Sequence, residues 1–269
     1  MPLETRLLDN SFALEVMGLR LWERQDEPTI AELRALWARH PVLVFSRQAL
    51  SENELADFSA LFGPLERVVR TEWASPVRPE VGVISNLKDA QAKPIGGLGD
   101  GEIQWHSDQS YMLNPATGAM LYALELPPEG GMTSWVDLCA AYAGLPDRLK
   151  RAVEGRRAIF DYTKRLAGYQ GVDRVISEEA KRKTPPILHP MVHAHPVTGK
   201  KRSTSTLRRP SGSKGWTRPQ AWLCLRKSTS SRRGPSSCIA IAGRSAMPSY
   251  GIMASQCIAE NPSTLRRVA

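Results

Sequence analysis

In the stretch WHSDQSY, residues 105 to 111, a histidine and a carboxylate stand two positions apart, His106 and Asp108. In an extended segment residues i and i+2 point to the same face, so this spacing presents an imidazole and a carboxylate side by side. Those are two of the three donors of the two-histidine, one-carboxylate triad. That triad holds a non-haem ferrous ion on one face and leaves its other positions open for substrate and oxygen. Taken alone, the same spacing equally describes a surface strand with two polar residues. The pair needs a third donor, and the chain offers only five histidines: His40, His106, His189, His193 and His195.

The elements that must position the pair are legible around it. Thr29-x-x-Glu32 and Ser51-x-x-Glu54 read as capping boxes,. Each opens a segment with apolar residues at three and four spacing, Leu33, Leu36 and Trp37, then Leu55, Phe58 and Leu61,. Between these two helices PVLVF, residues 41 to 45, is a short β-branched run bounded by Pro41 and Ser46, which predicts a buried strand,. EVGVISNL, GAMLYALEL and RAIFDY predict further strands, and PDRLKRAVEG a short helix. The sum is a β-rich α+β core with helices packed outside. The segment KDAQAKPIGGLGDGE, residues 88 to 102, reads as a loop ahead of the metal strand with the character of a lid,. Its Gly-x-Gly elements lack the strand-to-helix setting of a nucleotide fingerprint.

Composition sets the outer bounds. A chain of 269 residues that is 42% hydrophobic can bury one substantial core,. No apolar run approaches the roughly 18 to 20 residues of a membrane span, and MPLETRLLDN lacks the order of a signal peptide, so a cytoplasmic protein with no membrane partner is expected. Four cysteines without a Cys-x-x-Cys pair point to reduced thiols,. The net charge of +9 sits entirely in one place: from Arg202 onward there are twelve Lys or Arg and one acid, Glu260. That tail contains thirteen serines and no Asp, Phe or His. Such a composition does not build a packed core. Residues 1–201 therefore read as the folded domain and 202–269 as a poorly ordered basic tail, for which nucleic-acid binding through phosphate neutralisation is an alternative use.

Three ordered motifs then carry a resemblance. The segment WHSDQSYMLNPATGAMLYALELPPEGGMTSWVDLCAAYAGLP resembles the taurine dioxygenase-like (TauD/TfdA) family of Fe(II)/2-oxoglutarate-dependent oxygenases. There a Trp-His-x-Asp is followed by a small-residue strand and a Gly-Gly-x-Thr-x-Trp, here filled by Gly130, Gly131, Thr133 and Trp135. LHPMVHAHPVTGKK looks like that family's later hairpin, closed by a Pro/Gly turn,. The resemblance runs to about Lys201.

It implies a double-stranded β-helix, or jelly-roll, with flanking helices, and Fe(II) at one mouth held by His106 and Asp108. It also implies 2-oxoglutarate as co-substrate with its far carboxylate hydrogen-bonded by Thr133, and oxygen in the remaining position. Oxidative decarboxylation would yield succinate and carbon dioxide while a C–H bond of a small, anionic organic substrate is oxidised. The cofactor carries the hard chemistry and the protein supplies position and a water-poor cavity. RTEWASP, residues 70 to 76, falls in the substrate loop and departs from the pattern of the taurine enzymes. Arg70 and Trp73 there could hold an aromatic or anionic group, or could equally be a solvated charge and a packing anchor. Whether the chain self-associates is left open.

The same resemblance calls for a distal histidine near residue 258, followed by an arginine for 2-oxoglutarate, and no histidine follows His195. His189, His193 and His195 lie too early and on the hairpin motif, where a structural or exposed role is expected. Cys257, near the required place, would be an improvised ligand. An out-of-frame tail accounts for this. If each original codon spans the last base of one present codon and the first two of the next, RSTSTLRRP permits Leu-Tyr-Val-Asn-Pro-Ala-Thr-Thr. Likewise CIAIAG permits His-Arg-His-Arg-Trp, and the junction of Cys257 and Ile258 permits a His codon followed by Arg. On this reading the chain lacks a ligand, the 2-oxoglutarate arginine and the closing strands of the barrel, so turnover is expected to be impaired. The alternative is a catalytically dead β-barrel that binds.

Overall fold

The buried apolar runs of the N-terminal half organise the molecule. The computed structural model describes residues 2–8, 11–98, 106–125, 133–163, 176–204, 238–241, 250–255 and 258–262, the last three spans as backbone. Strand β1 (Glu4–Leu7) pairs antiparallel with β2 (Ala13–Met17), and β2 runs parallel to β3 (Val42–Ser46). Parallel neighbours need a crossover, and helix α1 (Glu27–Arg39) supplies it,. Helix α2 (Glu52–Ala60) follows, with the Ser51–Glu54 capping box present as read.

Both faces of β3 are used, and its alternation separates two layers. Leu43 and Phe45 join Leu14, Val16, Leu33, Leu36 and Phe58 beneath α1 and α2. Phe45 and Phe58 meet edge to face with centroids 5.5 Å apart,. Val42 and Val44, one residue out of phase, turn the other way with Ala13 and close on Trp135, which is fully buried. Trp135 belongs to β7 (Thr133–Asp137) in a separate sheet. The two sheets thus pack face to face through this indole.

The first sheet has five strands in the order β1-β2-β3-β13-β6, where β6 is Gly118–Tyr122 and β13 is Tyr250–Ser255. The second has three, β12 (Cys238–Ile241), β7 and β14 (Ile258–Pro262). Short pairs complete the β structure: β4 (Ile84–Ser85) with β5 (Gly97–Leu98), β8 (Arg157–Phe160) with β9 (Ile187–Pro190), and β10 (Val192–Ala194) with β11 (Lys201–Ser203). Three further short helices are α3 (Leu138–Ala143), α4 (Asp147–Val153) and α5 (Glu178–Lys183). Among the described residues no helix is long and apolar enough to cross a membrane.

Two expectations change. Thr29 does not cap α1: the cap is Asp26, whose side chain accepts from the Thr29 amide, and Glu32 instead accepts from the Leu3 amide at 3.2 Å. A proline at the second helical position favours an earlier start, because its missing N–H falls among the unpaired donors of the first turn. The tail, expected to be poorly ordered, also contains strands. The tail supplies β12, β13 and β14, and β13 sits between β3 and β6 with every residue in register against one or both. Strand pairing is made by main-chain groups that every residue but proline carries in full, so a sequence with no patterned core can still fill a slot between two strands.

Candidate metal centre

His106 enters the site from a single-residue β-bridge and is buried, whereas Asp108 already lies in the turn that follows. The chain reverses there: Gln109 adopts a left-handed φ of 47°, and the Met112 amide donates to the Gln109 carbonyl at 2.8 Å. The extended geometry expected for all three residues therefore ends at Ser107. The turn nevertheless brings the two side chains together, with Nε2 of His106 3.2 Å from Oδ1 of Asp108. Two donors at right angles on a metal, each at roughly 2.0–2.2 Å, stand about 3 Å apart. The pair thus fits adjacent corners of a coordination sphere. Among the described residues no group of three His, Cys, Asp or Glu side chains could hold a metal ion. The residues present fit two ligands and not a full triad.

A cavity of about 730 Å³ opens beside this pair, with Asp108, Gln109 and Tyr111 in its wall. The rest of the lining is mixed: apolar side chains Trp37, Leu55 and Phe62 of the helical layer, Val81 and Val83 of the following loop, Ile84 of β4 and Met120 and Leu121 of β6, alongside the carboxylates of Glu52, Glu66, Glu80 and Glu125. Its size and lining suit a small organic molecule. Tyr111 stacks against Tyr162 with centroids 4.2 Å apart, which fixes the ring at the cavity's edge.

The other residues singled out from the sequence take these places. Thr133 is the first residue of β7 and is buried. Arg70 and Trp73 come together with each other: the guanidinium lies 3.9 Å over the indole and reaches Glu72 at 2.6 Å. Arg70 is buried, and neither residue is in the described lining of the cavity. The indole also leaves no room at Gly97, where a Cβ would sit 2.5 Å from the ring. Because that Cβ would be within 3.0 Å of three neighbouring atoms around the ring fusion, Gly97 lies against the face of the indole. Within residues 88–98 a bridge joins Lys88 to Pro94 and the Asp89 carboxylate accepts from the Gln91 and Lys93 amides, while residues 99–102 of the expected loop lie outside the described residues.

The three hairpin histidines take different places. His195 Nδ1 accepts from the Val197 and Thr198 amides inside the β10–β11 turn. Burial holds its pKa below the ordinary imidazole value, with Arg202 and Lys200 acting in the same direction. His193 is lowered by burial, then by Arg202 and His189. His189 is the one that sequence reasoning undervalued. It is buried on β9, and its Nε2 lies 2.9 Å from the carbonyl oxygen of Met112, in the turn that carries Asp108. Its only signal in the sequence was its place in the hairpin-like segment LHPMVHAHPVTGKK.

With this geometry in hand, likeness to known proteins can be stated. Residues 4–221 match the family described as "Taurine catabolism dioxygenase TauD, TfdA family". The chain is 34% identical over 200 residues to the (S)-phenoxypropionate/alpha-ketoglutarate-dioxygenase of Sphingobium herbicidovorans, covering 72% of this chain and 67% of that one. It is 33% identical over 198 residues to the alpha-ketoglutarate-dependent 2,4-dichlorophenoxyacetate dioxygenase of Cupriavidus pinatubonensis, covering 71% and 68%. Among solved structures it is similar in fold to AAD-2 in complex with Mn(II) and N-oxalylglycine, at a TM-score of 0.75, 22% identity, and 100% and 92% of the two chains.

Proposed function

From the premise that this chain belongs to the TauD/TfdA family of alpha-ketoglutarate-dependent dioxygenases, we propose that its site is built to oxidise a small aryl-bearing organic acid at the expense of 2-oxoglutarate. The balance is one 2-oxoglutarate, one oxygen molecule and one substrate C–H giving succinate, carbon dioxide and a hydroxylated product. The observation that carries this reading is the 3.2 Å contact of His106 with Asp108, the latter in the wall of a cavity whose lining is partly apolar. Fe(II), when bound, would supply the oxygen chemistry and the anchoring of the keto acid. His106 and Asp108 would hold it through Nε2 and a carboxylate oxygen, and Thr133 would donate to the far carboxylate of 2-oxoglutarate. The apolar part of the lining, from Trp37 to Met120, would seat the substrate's ring. An aryl acid as substrate draws support from relatives named for phenoxypropionate and 2,4-dichlorophenoxyacetate. A double-stranded β-helix is the architecture we infer, from two sheets closed through Trp135 and from the fold shared with AAD-2.

We further propose that residues 202–269 are translated out of frame and that this chain turns over slowly, since the second histidine of the triad has no counterpart after His195. A titration with Fe(II) and 2-oxoglutarate, scored by succinate release, tests both halves. Little release from the present chain is expected. Robust 2-oxoglutarate-dependent release would overturn the impairment, and an apo protein indifferent to metal would overturn the role given to the pair.

A further inference from the structure

We propose that His189 is a positioning residue that latches the turn carrying the metal pair, a role that rests on the reading of His106 and Asp108 as ligands but is tested apart from it. A carbonyl oxygen only accepts, so the 2.9 Å contact with Met112 requires that Nε2 of His189 carry the hydrogen,. Met112 lies four residues beyond Asp108, and its own amide closes the turn onto Gln109. One bond from β9 thus pins the far end of the reversal that begins at Asp108.

The imidazole is itself held. His189 pairs with Ala158 across the antiparallel β8–β9 pair, and its ring meets Phe160 at 5.3 Å and 66°. Both neighbours are buried, which fixes the ring's position and aims Nε2 at the turn. Gln109 in a left-handed conformation is a strained position for a residue with a Cβ, and it persists only where the surroundings hold it,. The buried donor from His189 is one restraint on this turn from outside it, beside the contact of Tyr111 with Tyr162.

Two substitutions separate the latch from mere packing. Replacement His189→Leu fills the space without a donor and strands the Met112 carbonyl, while His189→Gln places an amide N–H near the former Nε2. Backbone hydrogen exchange of the full chain, without metal, reads the turn directly. With Leu, exchange in residues 106–112 is expected to speed up roughly tenfold while β2 and β3 keep their protection, and with Gln it returns towards the parent rate. Unchanged exchange in the Leu variant, or equal loosening in both variants, would overturn the proposal. Mn(II) titration of the same proteins then reports on the ligands. A parent chain that ignores Mn(II) but shows the exchange pattern would keep the latch and discard the metal reading, whereas weaker Mn(II) binding in Leu than in Gln supports both.

Discussion

Nε2 of His106 and Oδ1 of Asp108 are 3.2 Å apart and lie on either side of the point where an extended segment becomes a turn. The contact therefore depends on the turn as much as on the two side chains. If both atoms are ligands, His106→Ala and Asp108→Ala should each abolish Mn(II) binding measured by electron paramagnetic resonance, a loss beyond the 10- to 100-fold typical of changes one shell further out. Binding retained in either variant would show that the metal sits elsewhere.

The pair was legible because i and i+2 spacing is short-range and survives even when the second residue rotates into a turn. What the sequence did not disclose is what reaches the pair from far along the chain. His189 stands seventy-seven residues beyond Met112, and nothing local marks it as a donor to that turn. The same limit explains the strands. PVLVF reads as buried because its own residues are apolar, and it is β3 in the structure. β13 has no such pattern and is defined by the open edges of β3 and β6 that it fills. Asp26 displaced Thr29 as a cap for a local reason, the proline that follows it.

Trp135 is the one large side chain that β7 commits to the first sheet, and it is fully buried against Ala13, Val42 and Val44. Trp135→Ala would open a cavity between the sheets and should cost about 3–5 kcal/mol. Thermal melting followed by far-ultraviolet circular dichroism would show it as a large drop in Tm, and a small shift would mean that the two sheets are not joined there.

Gly97 and Trp73 should be coupled. A Cβ at residue 97 would be 2.5 Å from the indole, so Gly97→Ala must displace the ring and with it the guanidinium of Arg70 that lies over it. Overpacking of this kind costs about 1–3 kcal/mol. In a Trp73→Ala background the obstacle is gone, and the same glycine substitution should be nearly neutral. A double-mutant cycle on urea midpoints checks this, and additive effects would exclude the close approach.

Acid sensitivity follows from three histidines whose pKa is held down in the folded chain. Burial comes first for each, reinforced by Arg39 at His40 and by Arg202 at His193 and His195. The unfolded chain takes up these protons first as the pH falls through the ordinary imidazole value near 6.5. Stability is then fully present above about pH 6.5, declines as the pH drops towards the depressed folded values, and levels off once the folded imidazoles are charged too. Urea unfolding between pH 8 and 5 should trace that decline, and a combined His40→Asn, His193→Asn variant should flatten it.

The tail tests the frame directly. β13 belongs to the first sheet and β14 to the second, so the tail contributes strands to both sheets. A one-base change at the codons of Lys201 and Arg202 should turn the Cys257–Ile258 junction into a histidine codon. Because β13 is held by main-chain pairing to β3 and β6, replacing its sequence by one with patterned apolar residues should strengthen the sheet rather than disrupt it. Two consequences are expected together: a higher Tm, and 2-oxoglutarate-dependent succinate release at least 10- to 100-fold above that of the present chain. A restored frame that supplied no histidine, or one that left both quantities unchanged, would mean that the basic tail belongs to this protein as it stands.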